Sequence, residues 1–502
     1  MPPRLLATDL MERIGAYLPD YNALVQYLEA FQDDGALESM QVFRHLPDTI
    51  DKNDVWPELH IRDVGHLPAL APLAPHFTEV HIHDIYDLDV VGRILSPHNQ
   101  LHVHGSPNDE APPPNESLEQ WFSRLARLPV VHCDIQELDI APFVYVLPSI
   151  QSLRSLEISY ARVDSGEKLF ESIATSKLTR LSVSDIDLIS GGKAKLTNSM
   201  LNHLSVWLSQ QPVEELELLH WIIHANQTSV DHFYDTLWSC ATLRELTFFD
   251  TKLPRLVVER CAQPIQLTYL NLGECDLRDA NAVGLAQGLR HSKVETLQLK
   301  LNSFGRQGIE AIMSALTESS VSNLSFVCSN LSLASVQAIA NHLGLTKLKV
   351  LNLYDNEVGA AGIESLMPAV VQSQLEQLNL ALCNIDDQAA RHLAEKLPST
   401  HLTSLILDYN QITDDGAFSL AEAMVQTPKL AAIGLMENRL TEYGAGQFVE
   451  RLEGRIPTKL NFADNDFSDT PEMMAFQVDL VEAAASEGHT VLLEDGHRDW
   501  WL

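Results

Sequence analysis

From residue 267 onward the apolar positions recur in a fixed order: one apolar residue, two variable ones, an apolar residue, one variable, another apolar residue. The pattern is legible in LTYLNLGECDL, VETLQLKLNSF, VSNLSFVCSNL, LKVLNLYDNEV, LEQLNLALCNI, LTSLILDYNQI, LAAIGLMENRL and TKLNFADNDF. Its frames open at Leu267, Val294, Val321, Leu348, Leu375, Leu402 and Leu430, at steps of 27, 27, 27, 27, 27 and 28. Alternation with period two predicts a short strand at each LxL core, its leucines facing inward. The period then changes. In GAAGIESLMPAVV and DDGAFSLAEAM a glycine precedes apolar residues at helical spacing, such as Ile363, Leu366 and Met367. One strand and one helix in 27 residues stack as a horseshoe, so the expected fold class is an α/β solenoid with parallel strands on its concave face and helices outside.

Counted from each strand, one position reads Cys275, Asn302, Ser329, Asn356, Cys383, Asn410, Asn438 and Asn465. Asparagine carries both a donor and an acceptor for neighbouring turns, and cysteine is small and tolerates burial. A structural role in stacking is therefore expected, with no catalysis. The repeat resembles the ribonuclease-inhibitor type of leucine-rich repeat, whose two repeat types alternate in the same way.

Toward the N-terminus the period loosens. LRSLEISYARV, LTRLSVSDIDL, VEELELLHWII and LRELTFFDTKL begin at Leu153, Leu178, Val213 and Leu243, and WPELHIRD, FTEVHIHD, LHVHG and IQELDIAP read as degenerate strands. Loop insertions are expected near 105–118, in the proline-rich GSPNDEAPPPNES, and near 189–200, in ISGGKAKLTNS. The organisation expected is a helical segment at 1–50, one continuous solenoid at 51–470 and a cap at 471–502. In the cap a helix from about Glu472 to Ser486 precedes a strand at Val491, Leu492 and Leu493, with Trp500 and Trp501 covering apolar surface.

Charge narrows the partners. With 34 Lys and Arg against 68 Asp and Glu, the formal charge is −34, which repels phosphate backbones and anionic lipid. Nucleic acid and membrane are therefore not expected, and a protein with a basic surface is. No run of 18 apolar residues and no secretory leader is legible. The six cysteines, free of any CxxC pair, suit reduced thiols in a cytoplasmic or nuclear protein. The expected partner-binding surface on the concave face comprises Tyr160, Asp185, Glu217, Phe249, Asp250, Tyr269, Glu274, Tyr354, Asp355, Asp408, Tyr409 and Glu437, with Glu157, Glu215 and Glu245 adding charge. Arg180 and Lys300 oppose them in sign. Aromatics among acids are a usual composition for a protein-binding surface.

Enzyme signatures are missing: SGGKAK lacks the earlier glycine and final Ser or Thr of a phosphate loop, and HExxH, GxSxG and a dinucleotide turn do not occur. One cluster stands apart. His60, His81 and His102 recur at spacings of 21 and 21, and His83 and His104 follow two residues later, where the first strand has Arg62. Adjacent strands lie about 4.8 Å apart, so these imidazoles should stack as a ladder. Three neutral imidazoles can hold zinc. With no acidic or thiol ligand clearly fixed beside them, the reading adopted is an exposed polar rung, without metal or other cofactor.

The opening LATDLMERIGAYLPD puts Leu6, Leu10, Ile14 and Leu18 on one helical face and ends in Pro19. With Tyr17, this spacing resembles the start of an F-box, the helical segment by which substrate receptors dock on the small adaptor subunit of cullin-RING ubiquitin ligases. Ala7 stands where that family usually has proline. The resemblance implies an adaptor-binding set of Leu6, Leu10, Ile14, Leu18 and Pro19, and repeats that recruit a target for ubiquitin transfer. A second reading makes the same helices a cap over the first strand near Trp56, in a binding or inhibitor protein. A third, activation of a small GTPase, follows from that family's use of acidic repeats.

Overall fold

The computed structural model describes residues 18–30, 38–107, 116–137, 139–188, 194–251, 264–456, 458–468 and 470–493. The chain forms two compact units, Met1–Thr242 and Leu243–Leu502.

In the second unit the strands fall on the LxL cores. Tyr269–Asn271, Thr296–Gln298, Asn323–Ser325, Val350–Asn352, Gln377–Asn379 and Ser404–Ile406 pair in parallel, each with the next. Their central leucines, Leu270, Leu297, Leu324, Leu351, Leu378 and Leu405, stand in register and are fully buried. Burying each contributes about 2 kcal/mol relative to exposure. Ala432–Gly434, Lys459–Asn461 and Thr490–Leu492 continue the sheet in parallel. A helix returns the chain after each core, as in Gly359–Gln372, where Ile363, Leu366 and Met367 are buried as their spacing requires. The helix Pro471–Ser486 and the strand Thr490–Leu492 lie where the cap was expected, while Trp500 and Trp501 fall outside the described residues.

Every repeat leaves its strand through a residue in the left-handed region: Glu274, Leu301, Cys328, Asp355, Leu382, Tyr409, Glu437 and Asp464 have φ between 50° and 58°. The residue after each is the repeated Asn, Cys or Ser. Where that residue is Cys275, Ser329 or Cys383, the next one, Asp276, Asn330 or Asn384, is left-handed too; among the described residues no asparagine-type repeat shows this second turn. The two repeat types thus differ in backbone as well as in side chain.

Asparagine offsets the strain, which costs on the order of 1 kcal/mol or more per non-glycine residue. Asn410 Oδ1 accepts from the Cys383 and Ile385 N–H groups at 3.0 and 2.9 Å, and Nδ2 donates to the Leu380, Leu407 and Asp408 carbonyls at 2.9, 2.9 and 3.1 Å. Asn302 repeats the arrangement on Cys275 and Leu277. Cys383 Sγ instead donates to the Leu353 carbonyl at 3.1 Å.

In the first unit β1 (Leu59–Ile61), β2 (Glu79–His83), β3 (Gln100–His104), β4 (Val130–Gln136) and β5 (Ser155–Ser159) pair in parallel, followed by Arg180–Ser184 and Glu215–Leu219. Two expectations are corrected. The fourth strand is VVHCDIQ rather than IQELDIAP: Cys133 and Ile135 supply the buried pair, and Ile140 precedes the helix Ala141–Val146. The expected loop at 189–200 already contains the strand Lys195–Leu196, paired with Ile222–Ile223, and the start of the helix Asn198–Gln210. Leu6, Leu10 and Ile14 lie outside the described residues. Leu18 is half-buried and Pro19 exposed, and the helix Tyr21–Ala30 that follows buries Tyr21, Leu24 and Leu28.

Replacing Asn410 by leucine removes the donor to the Leu380 carbonyl and the acceptor of the Cys383 and Ile385 N–H groups in a dry turn, while the Leu407 and Asp408 carbonyls keep Asn438 Nδ2 and the Leu382 N–H. The expected loss is about 3 kcal/mol in urea unfolding of the full chain, whereas exposed Gln411→Leu should cost far less.

Candidate functional site

Strand alternation puts Leu59, Ile61, Val80, Ile82, Leu101 and Val103 into the core and turns the residues between them to the other face. On that face the histidines form the expected ladder. His60 pairs in register with His81, and His81 with His102; their rings stack at centroid distances of 4.5 and 4.3 Å. A second row, His83 and His104, stacks at 4.5 Å. The rows are tied together: His60 Nδ1 lies 3.0 Å from His83 Nε2, and His81 Nδ1 lies 3.0 Å from His104 Nε2. A register shift between Leu101 and His102 brings in a further ring, His132 on β4, which stacks on His102 at 5.6 Å and contacts Ser155 Oγ at 3.0 Å.

The reading of an exposed rung without neighbouring acids is overturned. His81 is only 8% exposed, and two carboxylates stand beside the row. Glu58 Oε2 lies 3.3 Å from His60 Nε2 and 3.9 Å from His81 Nε2, and Glu79 Oε2 lies 3.4 Å from His102 Nε2. Two groups, Glu58, His60, His81 and Glu79, His81, His102, offer ligand atoms close enough to hold a metal ion. The signal was present in ELHI and EVHI, where a glutamate two residues before the histidine shares its strand face. His132 was missed because the proline-rich insertion lengthens its step to 30 residues and displaced the strand frame.

Burial and crowding keep the rings of His81, His83, His102, His104 and His132 neutral. Desolvation first, then the neighbouring imidazoles, push His81 down to about 3; desolvation and His104 push His83 down to about 4. His132 is lowered to about 4, mainly by burial, and burial lowers His102 and His104 as well.

Beside the ladder a cavity of about 630 Å³ is lined by Glu79, His102, His132, Glu157, Arg180 and Glu215, among others. Glu157 is raised by burial and by Asp134, Glu215 and Glu217, with Arg180 opposing. Ser182 Oγ donates to Glu217 at 3.0 Å, and Arg180 pairs with Glu215.

The expected partner-binding residues divide by position. Tyr160 is 63% exposed, Glu274 and Glu437 are exposed, and Asp185, Glu217, Phe249, Asp250, Tyr269, Tyr354, Asp355 and Tyr409 are half-buried. Tyr160, Asp185, Asp250, Glu274, Asp355, Tyr409 and Glu437 occupy the left-handed turn after a strand, at the rim of the sheet face rather than on it. Lys300 Nζ sits 4.7 Å from the Phe249 ring centroid, and Cys328 Sγ donates to Asp355 at 3.2 Å. Asp408 is a correction: it is fully buried and presents nothing to a partner. Gly434 on the next strand leaves a slot, where a Cβ would fall 2.5 Å from Asp408 Oδ1, and the carboxylate folds into it to accept the Met436 N–H at 2.9 Å. Burial pushes Asp408 up to about 7.

A leucine-rich repeat family model matches residues 344–367 and 399–421. Comparison with curated proteins gives no match. Among solved structures, an internalin of Listeria monocytogenes is similar over 70% of this chain and 83% of its own, at 14% identity and a TM-score of 0.41.

Two opposite pH responses are expected. His81, His83 and His132 bind protons near 6.5 when unfolded and well below that when folded, so their contribution is complete above about pH 6.5 and lost as pH falls toward 4. Melting temperature should drop over that range, and His83→Gln with His132→Gln should flatten the drop. Asp408 has the reverse sign: its folded pKa near 7 exceeds the unfolded value, so its contribution is full below about pH 4 and is lost as pH rises from there to about 7. Asp408→Asn should therefore raise the melting temperature at pH 8 and leave a smaller difference at pH 4.

Proposed function

We propose that this leucine-rich repeat chain is a non-enzymatic interaction scaffold that holds a protein partner with a basic surface, in the manner of a substrate receptor for a ubiquitin ligase. The observation that carries the reading is the crowding of Asp134, Glu157, Glu215 and Glu217 near the guanidinium of Arg180 on an open sheet face, whose cavity Arg154 also lines. Carboxylates crowded closely enough to raise Glu157 gain when a cation arrives. The exposed ring of Tyr160 at the rim supplies apolar contact beside them.

The adaptor-docking part of the proposal concerns Leu6, Leu10, Ile14, Leu18 and Pro19. A capping role has its own support: Trp56 Nε1 donates to the Leu18 carbonyl at 2.9 Å, and Tyr21 donates its hydroxyl proton to the Phe43 carbonyl, tying residues 18–30 to the segment before β1. The two readings part at residues 5–17. An outward stripe tolerates charge, whereas a covering helix does not.

Leu10→Asp with Ile14→Asp should abolish co-purification with the ligase adaptor subunit while leaving the melting temperature within about 2 °C, since such changes cost little on a surface. An early melt and no adaptor binding by the wild type favour the cap. Glu157→Lys with Glu217→Lys should abolish capture of a basic partner from cell extract, and raising salt from 50 to 300 mM should weaken that capture in the wild type. A partner held equally by both proteins, regardless of salt, refutes the acidic face as its site.

A further inference from the structure

We propose that Glu79, His81 and His102 form a binding site for one divalent transition-metal ion of the zinc class. The three residues come from adjacent strands, β2 and β3, and their ligand atoms lie within 4.8 Å of one another. A tetrahedral ion with bonds of about 2.1 Å sets its ligand atoms about 3.4 Å apart, and Glu79 Oε2 to His102 Nε2 is already 3.4 Å. The remaining contraction is on the order of 1 Å, within reach of small side-chain torsions.

The second observation is independent of spacing. His81 Nε2 and His102 Nε2 are both buried without a hydrogen-bond partner, in a protein where His81 as a whole is 8% exposed. Buried polar atoms are rarely left so. His81 Nδ1 faces His104 Nε2 at 3.0 Å; with the proton on Nδ1 and donated to His104, Nε2 presents a bare lone pair toward the carboxylates. Lone pair and carboxylate repel until a cation lies between them. His104 then acts as the outer partner that fixes the tautomer of a metal-bound imidazole.

Donor chemistry selects the ion. Two imidazoles and one carboxylate suit zinc, cobalt, nickel or copper, whereas magnesium and calcium prefer oxygen throughout. Glu58, His60 and His81 form a neighbouring group that shares His81 Nε2, and one nitrogen lone pair binds one ion, so a single ion per chain is expected. His60 Nε2 is hydrogen-bonded to Glu58 at 3.3 Å, which leaves the Glu79 group as the one in which both nitrogens are unpartnered. Three protein ligands leave a fourth position, next to the cavity that Glu79 and His102 also line.

The test uses the full-length, tag-free chain, stripped with chelator and titrated calorimetrically with zinc chloride at pH 7.5, with metal content measured after gel filtration. One zinc per chain is expected, with affinity lowered at least about tenfold by Glu79→Gln or His102→Gln and retained in Glu58→Gln. Glu79 is half-exposed at its side chain, so its variant should keep the wild-type fold, checked by circular dichroism. Imidazole nitrogen NMR spectra should show zinc shifting Nε2 of His81 and His102. Absence of stoichiometric zinc, equal affinity in Glu79→Gln, loss confined to Glu58→Gln, or magnesium binding as tightly as zinc would each overturn the assignment.

Discussion

A strand that ends every 27 residues must turn its chain in a dry interior, and each turn exposes main-chain N–H and C=O groups that water cannot reach. Everything else in the repeats depends on meeting that demand. The central leucines supply burial but no hydrogen bonds, so a sequence of leucines alone would collapse without choosing a register. Asparagine settles the register because one amide bridges two consecutive turns, as Asn410 does between the Leu380 and Leu407 carbonyls. With register fixed, the positions between the leucines align strand by strand, and rows of like side chains become possible.

The histidine ladder is such a row. Parallel, in-register pairing places equivalent residues side by side, which for most polar groups would leave like facing like. Imidazole escapes this because its flat ring stacks and its two nitrogens play different roles. Neutrality is the condition, and partial burial enforces it. The acidic wall around Arg180 arises from the same alignment with less accommodation, since carboxylates neither stack nor donate.

Legibility in the sequence followed the strength of periodicity. The strands of the second unit and the helices behind them could be read because two periods alternate cleanly at a constant step. The ladder could be read where the step was constant, at 21, and His132 was lost where an insertion broke it. Asp408 failed for another reason. Its sequence position is that of a surface residue, and only the absence of a side chain at Gly434, one repeat away, lets it fold inward. Glu58 and Glu79 were legible in principle, since period two places them with the histidines. Residues that share a strand face from different strands are juxtaposed only by the register, which a single strand's pattern does not contain.

The alternation of turn types carries a consequence for how such an array can grow or shrink. The turn around Cys275 or Cys383 has a left-handed residue on each side of the cysteine and gives two N–H groups to the asparagine that follows. Deleting one repeat from the middle would juxtapose two turns of the same kind, as the chain does at Asn410 and Asn438, where the Ile412 N–H bonds the Asn438 amide oxygen and the paired handshake is reduced. Excising a neighbouring pair would restore it. Between Cys275 and Asn410 the modular unit of duplication, shuffling or engineered shortening is therefore the doublet, and the array is better regarded as a chain of dimers written in one polypeptide.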